Sequence, residues 1–167
     1  MTVTINLPKI ENQTSLVVDV TYLCNYTCNY CRWGSSDTPG RVHHPLDNIL
    51  ADPLELEAIG VERVILSGGE PMLHPEILQI VSHYSRLVED VILITNGWLA
   101  DQERITALTT EGLSGLAFSI DSIDATVLAK TRDMSDSQVT RSLGNFQTIS
   151  KSRMEGVFDI ELGVISV

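Results

Sequence analysis

Apolar residues recur along this chain in two periods, and the switches between them mark strands alternating with helices. Leu16 to Val20, Val64-Ile65-Leu66, Val91 to Ile94, Leu116 to Ile120 and Val157 to Val164 are short, β-branched and apolar, which predicts five buried strands. Helical spacing appears after Pro75 in Ile77, Ile80, Val81, Tyr84 and Val88, again over Asp101 to Thr109, and in Val139, Leu143, Phe146 and Ile149. Asp52-Pro53-Leu54-Glu55 reads as a helix start, with Asp52 as cap, and Gly60 stops that helix. Pro53 prevents it from continuing smoothly back to Leu46. Val3, Ile5 and Leu7 alternate ahead of Pro8, predicting an edge strand or ordered arm over residues 1–14. Trp33 to Pro45, rich in Gly, Ser and Pro, predicts a loop.

Strands and helices alternating at these distances predict βαβ units and a parallel sheet. No repeat, low-complexity segment or linker divides the chain, so residues 15–167 read as one α/β core with about five βα units. A chain of 167 residues suits one domain with a sizeable core.

Charge changes the picture in one respect. Twenty-two Asp and Glu against eleven Lys and Arg give a net charge of −11, which argues against broad contact with a nucleic-acid backbone. No apolar run approaches the ~20 residues that span a bilayer, and the N-terminus lacks a basic segment followed by an apolar one. These features point to a cytoplasmic protein with no membrane partner, where three cysteines stay reduced.

The polar signals share one side of the predicted sheet. Cys24, Cys28 and Cys31 follow the first strand, Gly68 and Gly69 the second and Asn96 the third, while Ser119 and Asp121 close the fourth. In parallel α/β architectures ligands bind at the C-terminal edges of strands. The cysteine loop, Cys24-Asn25-Tyr26-Thr27-Cys28-Asn29-Tyr30-Cys31, holds every cysteine of the protein. Three thiolates can grip a four-iron cluster by three corners and leave one iron open. Two other readings stand beside it: Cys28 with Cys31 as a thioredoxin-like redox pair, or a zinc site that recruits His43 or His44. His74 and His83 show no pattern and read, like those two, as surface or capping residues.

At this point the chain resembles the radical S-adenosylmethionine (radical SAM) enzymes. Cys24, Cys28 and Cys31 have that family's CX3CX2C spacing, with the aromatic Tyr30 before the last cysteine. Gly68-Gly69-Glu70-Pro71 matches its GGEP motif, and Thr95-Asn96-Gly97 and Ser119-Ile120-Asp121 resemble its third- and fourth-strand ends. The resemblance implies a parallel sheet curved into a partial (βα)-barrel, with a [4Fe-4S] cluster on the three cysteines. S-adenosylmethionine would bind the open iron, and its reductive cleavage would release a 5′-deoxyadenosyl radical that takes hydrogen from a substrate.

It also implies site roles. Gly68 and Gly69, without Cβ atoms, would let backbone approach the methionine moiety, and Glu70, ahead of Pro71, would pair with its ammonium group. Tyr30 would lie near the adenine, its bland alternative being core packing beneath the loop. Ser119 and Asp121 would reach the ribose or the carboxylate, or else cap the next turn. Arg132 sits where some relatives place a carboxylate-binding arginine, but Asp133 replaces the glycine usual after it, and a solvated surface arginine competes. Asn96 would shape the turn before Gly97.

Family cores usually carry six βα units, and this chain stops in what reads as strand five. It is therefore expected to be a fragment or a short member completed by a partner chain at an exposed, sticky strand-five edge. The implied partners are a small-molecule or peptide substrate and an electron donor such as flavodoxin or ferredoxin. Two further classes of function remain: a non-catalytic cluster- or cofactor-binding module, and a small zinc protein.

Overall fold

The computed structural model describes residues 14–31 and 42–165. The expected arm at Val3 to Leu7, most of the loop from Trp33 onward and the last two residues lie outside this range. Five strands form one sheet: β1 (Ser15–Thr21), β2 (Arg63–Gly68), β3 (Asp90–Thr95), β4 (Gly115–Ser119) and β5 (Glu161–Ile165). They are all parallel and lie in sequence order, β1-β2-β3-β4-β5. An order without reversal is that of a barrel wall, whereas a doubly wound sheet reverses at a switch point.

Alternation along the strands separates two faces. Val64, Leu66, Leu93, Leu116 and Phe118 are fully buried in one core with residues of the helices. That core takes Leu56 from α2 (Pro53–Ile59), Ile80, Val81 and Tyr84 from α3 (Ile77–Tyr84), and Ile105 and Leu108 from α4 (Gln102–Thr110). Leu128 of α5 (Ala125–Arg132) and Val139 and Ile149 of α6 (Asp136–Met154) complete it. The opposite face carries Ile65, Ile92, Ile94, Ala117 and Gly163 around an open apolar hollow of about 240 Å³. This is the inner face of the arc.

Side-chain caps fix the helix starts. Asp52, Asp101 and Asp124 each accept backbone N–H groups, and Ser135 forms a reciprocal capping box with Gln138. Gly60 closes α2 in a left-handed conformation at φ 65°. A short α1 (Leu46–Ile49) precedes α2 but is separated from it by an extended Leu50, so Pro53 does start a new helix.

Two expectations need correction. The fifth strand begins at Glu161, not Val157, because the N–H of Val157 caps α6 on the carbonyl of Ser152, and Phe158 turns into the core. Helix α5 had no sequence expectation, since its apolar face is weak: Leu128 is buried while Val127 is exposed. At the expected sticky edge, β5 pairs with β4 and leaves Val164 and Ile165 exposed.

Candidate functional site

The site grows from the end of β1. Its register with β2 shifts between Asp19 and Thr21, so the chain leaves the sheet where Thr21 meets Gly68. The N–H of Gly69 then donates to Thr21 O at 2.7 Å, and that of Glu70 to Leu23 O at 2.8 Å. A Cβ on Gly68 would lie 2.2 Å from Thr21 O, and one on Gly69 would lie 2.1 Å from Leu23 O. The double glycine therefore lets two strand ends approach, and this fixes where the cysteine loop begins.

The loop closes on itself through a hydrogen bond from Cys31 N to Cys28 O at 3.0 Å and one from Tyr26 N to Cys24 Sγ at 3.4 Å. Tyr26 is buried and its hydroxyl meets Ser142 Oγ, tying the loop to α6. All three cysteines are free thiols. They line one cavity of about 290 Å³ together with Tyr30, Ser67, Gly68, Gly69, Thr95, Asn96, Ser119 and Arg132.

Glu70 is fully buried and holds three donors from neighbouring strand ends. Its Oε1 accepts from Met72 N at 3.1 Å and Thr95 Oγ1 at 2.8 Å, and its Oε2 from Asn96 N at 2.7 Å. Burial pushes its pKa up to about 7, and those three donors oppose the rise. The carboxylate staples the ends of β2 and β3, a role the sequence pattern did not reveal. Pro71 opens a buried 3-10 turn behind it, to Leu73, away from the cavity lining.

The surface reading of Arg132 is corrected, because the residue is 5% exposed. Its Nε and Nη2 reach Asp121 Oδ2 and Oδ1 at 2.7 and 3.1 Å. Asp133, standing where glycine was expected, takes the left-handed φ of 53° that ends α5, a conformation Asp tolerates better than most residues. Tyr30 donates its hydroxyl to Asp121 Oδ2 at 2.6 Å, and the Arg132 guanidinium sits 5.6 Å from its ring. Tyr30 is 38% exposed, so it does not pack beneath the loop.

Asn96 does more than shape a turn. Its Oδ1 accepts from Trp98 N at 3.0 Å, and its Nδ2 faces Asn25 Oδ1 at 2.8 Å and Cys24 Sγ at 3.8 Å. Asn25 and Ser67 were missed in the sequence. Asn25 lay within the cysteine loop and Ser67 just before the double glycine, and only the folded path gives Asn25 its partner Asn96 and Ser67 its place on the cavity wall.

Burial raises the pKa of Cys24 to about 11 and also raises that of Cys28. Among the described residues no three His, Cys, Asp or Glu side chains converge on a single ion. One zinc needs its sulfurs within about 4 Å of each other, given bonds of about 2.3 Å. A four-iron cluster takes each thiolate on a different iron and tolerates wider spacing. The His43 ring meets Thr21 Oγ1 instead, and His74 caps the 3-10 turn, with its Nε2 at the carbonyl of His44.

Among the described residues no helix is long and apolar enough to cross a membrane. The chain is similar to the GTP 3',8-cyclase of Chlorobaculum tepidum, 34% identical over 111 residues that make up 64% of this chain and 32% of that one. It is also similar to the AdoMet-dependent heme synthase of Methanosarcina barkeri, 29% identical over 80% of this chain and 38% of the relative. The chain thus spans about a third of the length of these curated relatives. Its fold matches that of Streptococcus suis SuiB bound to S-adenosylmethionine, with a TM-score of 0.64 at 14% identity over 92% of this chain and 40% of that one. The family model described as the Radical SAM superfamily matches residues 18–159, from within β1 to just short of β5, and the chain therefore belongs to that superfamily.

Proposed function

We propose that this chain forms the cofactor face of a radical SAM enzyme, with Cys24, Cys28 and Cys31 holding a [4Fe-4S] cluster and S-adenosylmethionine lying beside it in the cavity. The observation that carries this reading is the convergence of three free thiols with the ends of β2, β3 and β4 on one cavity. When bound, the reduced cluster supplies the electron that cleaves the sulfonium, giving methionine and a 5′-deoxyadenosyl radical able to take hydrogen from substrate.

The chain's own residues bind and orient. Ser67, Gly68 and Gly69 are the part of the glycine motif left facing the cavity, so they meet the amino-acid end of the cofactor while Glu70 holds them in place. Arg132, fixed by Asp121, and Ser119 offer donors to its carboxylate or ribose, and Tyr30 gives the adenine a flat neighbour. The apolar inner face of Ile65, Ile92, Ile94 and Ala117 adjoins this edge and keeps water from a reactive radical. The two curated relatives are named for different reactions, which fits a shared cofactor face that does not by itself set the substrate.

The test is anaerobic reconstitution with iron and sulfide, then dithionite and S-adenosylmethionine, with chromatography for 5′-deoxyadenosine. Product that disappears in Cys24→Ala supports the reading, and a Cys28→Ala protein that keeps both cluster absorbance and cleavage sinks it. A second reading, a cofactor-binding module that acts through a partner, is favoured by the open inner face and exposed Val164 and Ile165. Cofactor binding without cleavage, together with a stable complex through the β5 edge, is its signature.

A further inference from the structure

We infer that Asn96 is a positioning residue for the cluster, setting its reduction potential through a side-chain N–H donated to the Cys24 thiolate. This rests on the cluster reading above. The amide orientation follows from its neighbours. Trp98 N–H is an obligatory donor 3.0 Å from one end of the amide, so that end is the oxygen. The nitrogen then carries two hydrogens toward two acceptors, Asn25 Oδ1 at 2.8 Å and Cys24 Sγ at 3.8 Å.

The donor is also held still. Asn96 is 8% exposed, and its own backbone N–H is fixed at 2.7 Å on the buried Glu70 carboxylate. Asn25 belongs to the cysteine loop, so the same amide joins the end of β3 to the loop and to its first sulfur. With Tyr26 N–H at 3.4 Å, Cys24 receives two N–H groups. Reduction adds one electron whose charge spreads onto the sulfurs. Fixed donors in a low-dielectric site favour that more negative state, and hydrogen bonds to cluster sulfurs are an established control on potential.

The experiment uses the full chain, reconstituted anaerobically and titrated with dithionite while electron paramagnetic resonance follows the reduced cluster. Asn96→Leu removes the donor, and Asn96→Asp removes it, keeps the acceptor for Trp98 and adds a negative charge beside the sulfur. Asn96→Leu is expected to weaken one-electron reduction roughly tenfold, about 59 mV, and Asn96→Asp to weaken it further. Gly97→Ala is the control. It strains the same turn, at φ 83° with its Cβ 3.0 Å from the Phe118 ring, but leaves the amide in place and should keep the wild-type potential. If Asn96→Leu and Asn96→Asp titrate with the wild type, or Gly97→Ala shifts as far as they do, the assignment to Asn96 is overturned. A wild-type chain that assembles no four-iron cluster would instead overturn the underlying reading.

Discussion

Arg132 grips Asp121 in a forked pair, with N–O distances of 2.7 and 3.1 Å and both side chains less than a tenth exposed. The pair joins the end of α5 to the second residue after β4, at the rim of the cysteine cavity. Removing one member leaves a buried charge behind. Arg132→Met is therefore expected to destabilise the apoprotein by about 3 kcal/mol, whereas Arg132→Met with Asp121→Leu recovers part of that loss. Urea unfolding of the two variants measures it, and equal losses in both would contradict the forked pair as the cause.

Glu70 gives a pH prediction with a definite sign. Its folded pKa, about 7, lies above the ordinary 4.5, so the folded state holds the proton more tightly than the unfolded chain. The stability it contributes is complete below pH 4.5 and is lost as pH rises through 7, on the order of 3 kcal/mol across that window. Glu70→Gln removes this dependence. It also adds a constant cost of about 1–3 kcal/mol, because Met72 N–H and Asn96 N–H need acceptors on both oxygens and an amide supplies one. Subtracting the unfolding free energies of the two proteins between pH 4 and 8 isolates the effect, and a flat difference would rule it out.

Two glycines should respond in opposite directions. Gly69→Ala drives a Cβ to 2.1 Å from the backbone oxygen of Leu23, which cannot give way without moving the cysteine loop. A loss of about 1–3 kcal/mol follows, with less iron bound on reconstitution. Gly144, inside α6, has nothing within 4 Å of the corresponding position, and Gly144→Ala should gain about 0.5–1 kcal/mol. Thermal unfolding of both proteins tests the contrast.

Tyr30→Phe deletes the hydroxyl that ties the last turn of the cysteine loop to Asp121 at 2.6 Å. Asp121 keeps Arg132, and Tyr30 is partly exposed, so the stability cost should stay near 1 kcal/mol. The larger effect is local: faster hydrogen exchange at amides 28–31 with the rest of the sheet unchanged. Unaltered exchange there would show that the hydroxyl does not hold the loop.

Much of the fold was legible because its signals are local. Five apolar runs became five strands, Asp52 capped a helix where expected, Gly60 ended it, and the helix read from Asp101 begins just after that residue. Strand ends with Cys, Gly-Gly, Asn and Ser predicted a common edge, and the cavity brings those residues together. Helix α5 was missed because its apolar face is slight, and Val157 was misplaced because a capping turn and a strand start look alike in a short apolar run.

The sequence by itself determined the alternation of elements, the parallel sheet and the cysteine loop, since hydrophobic period and residue spacing are properties of neighbours along the chain. Only the tertiary structure decided what the polar side chains do. Glu70 meets Asn96 across 26 positions, Tyr30 meets Asp121 across 91 and Tyr26 meets Ser142 across 116, and nothing in the local pattern encodes those partners. Buried polar groups must find partners wherever the folded path brings a donor to an acceptor. That is why Glu70 became a staple between strands and Arg132 a buried clamp.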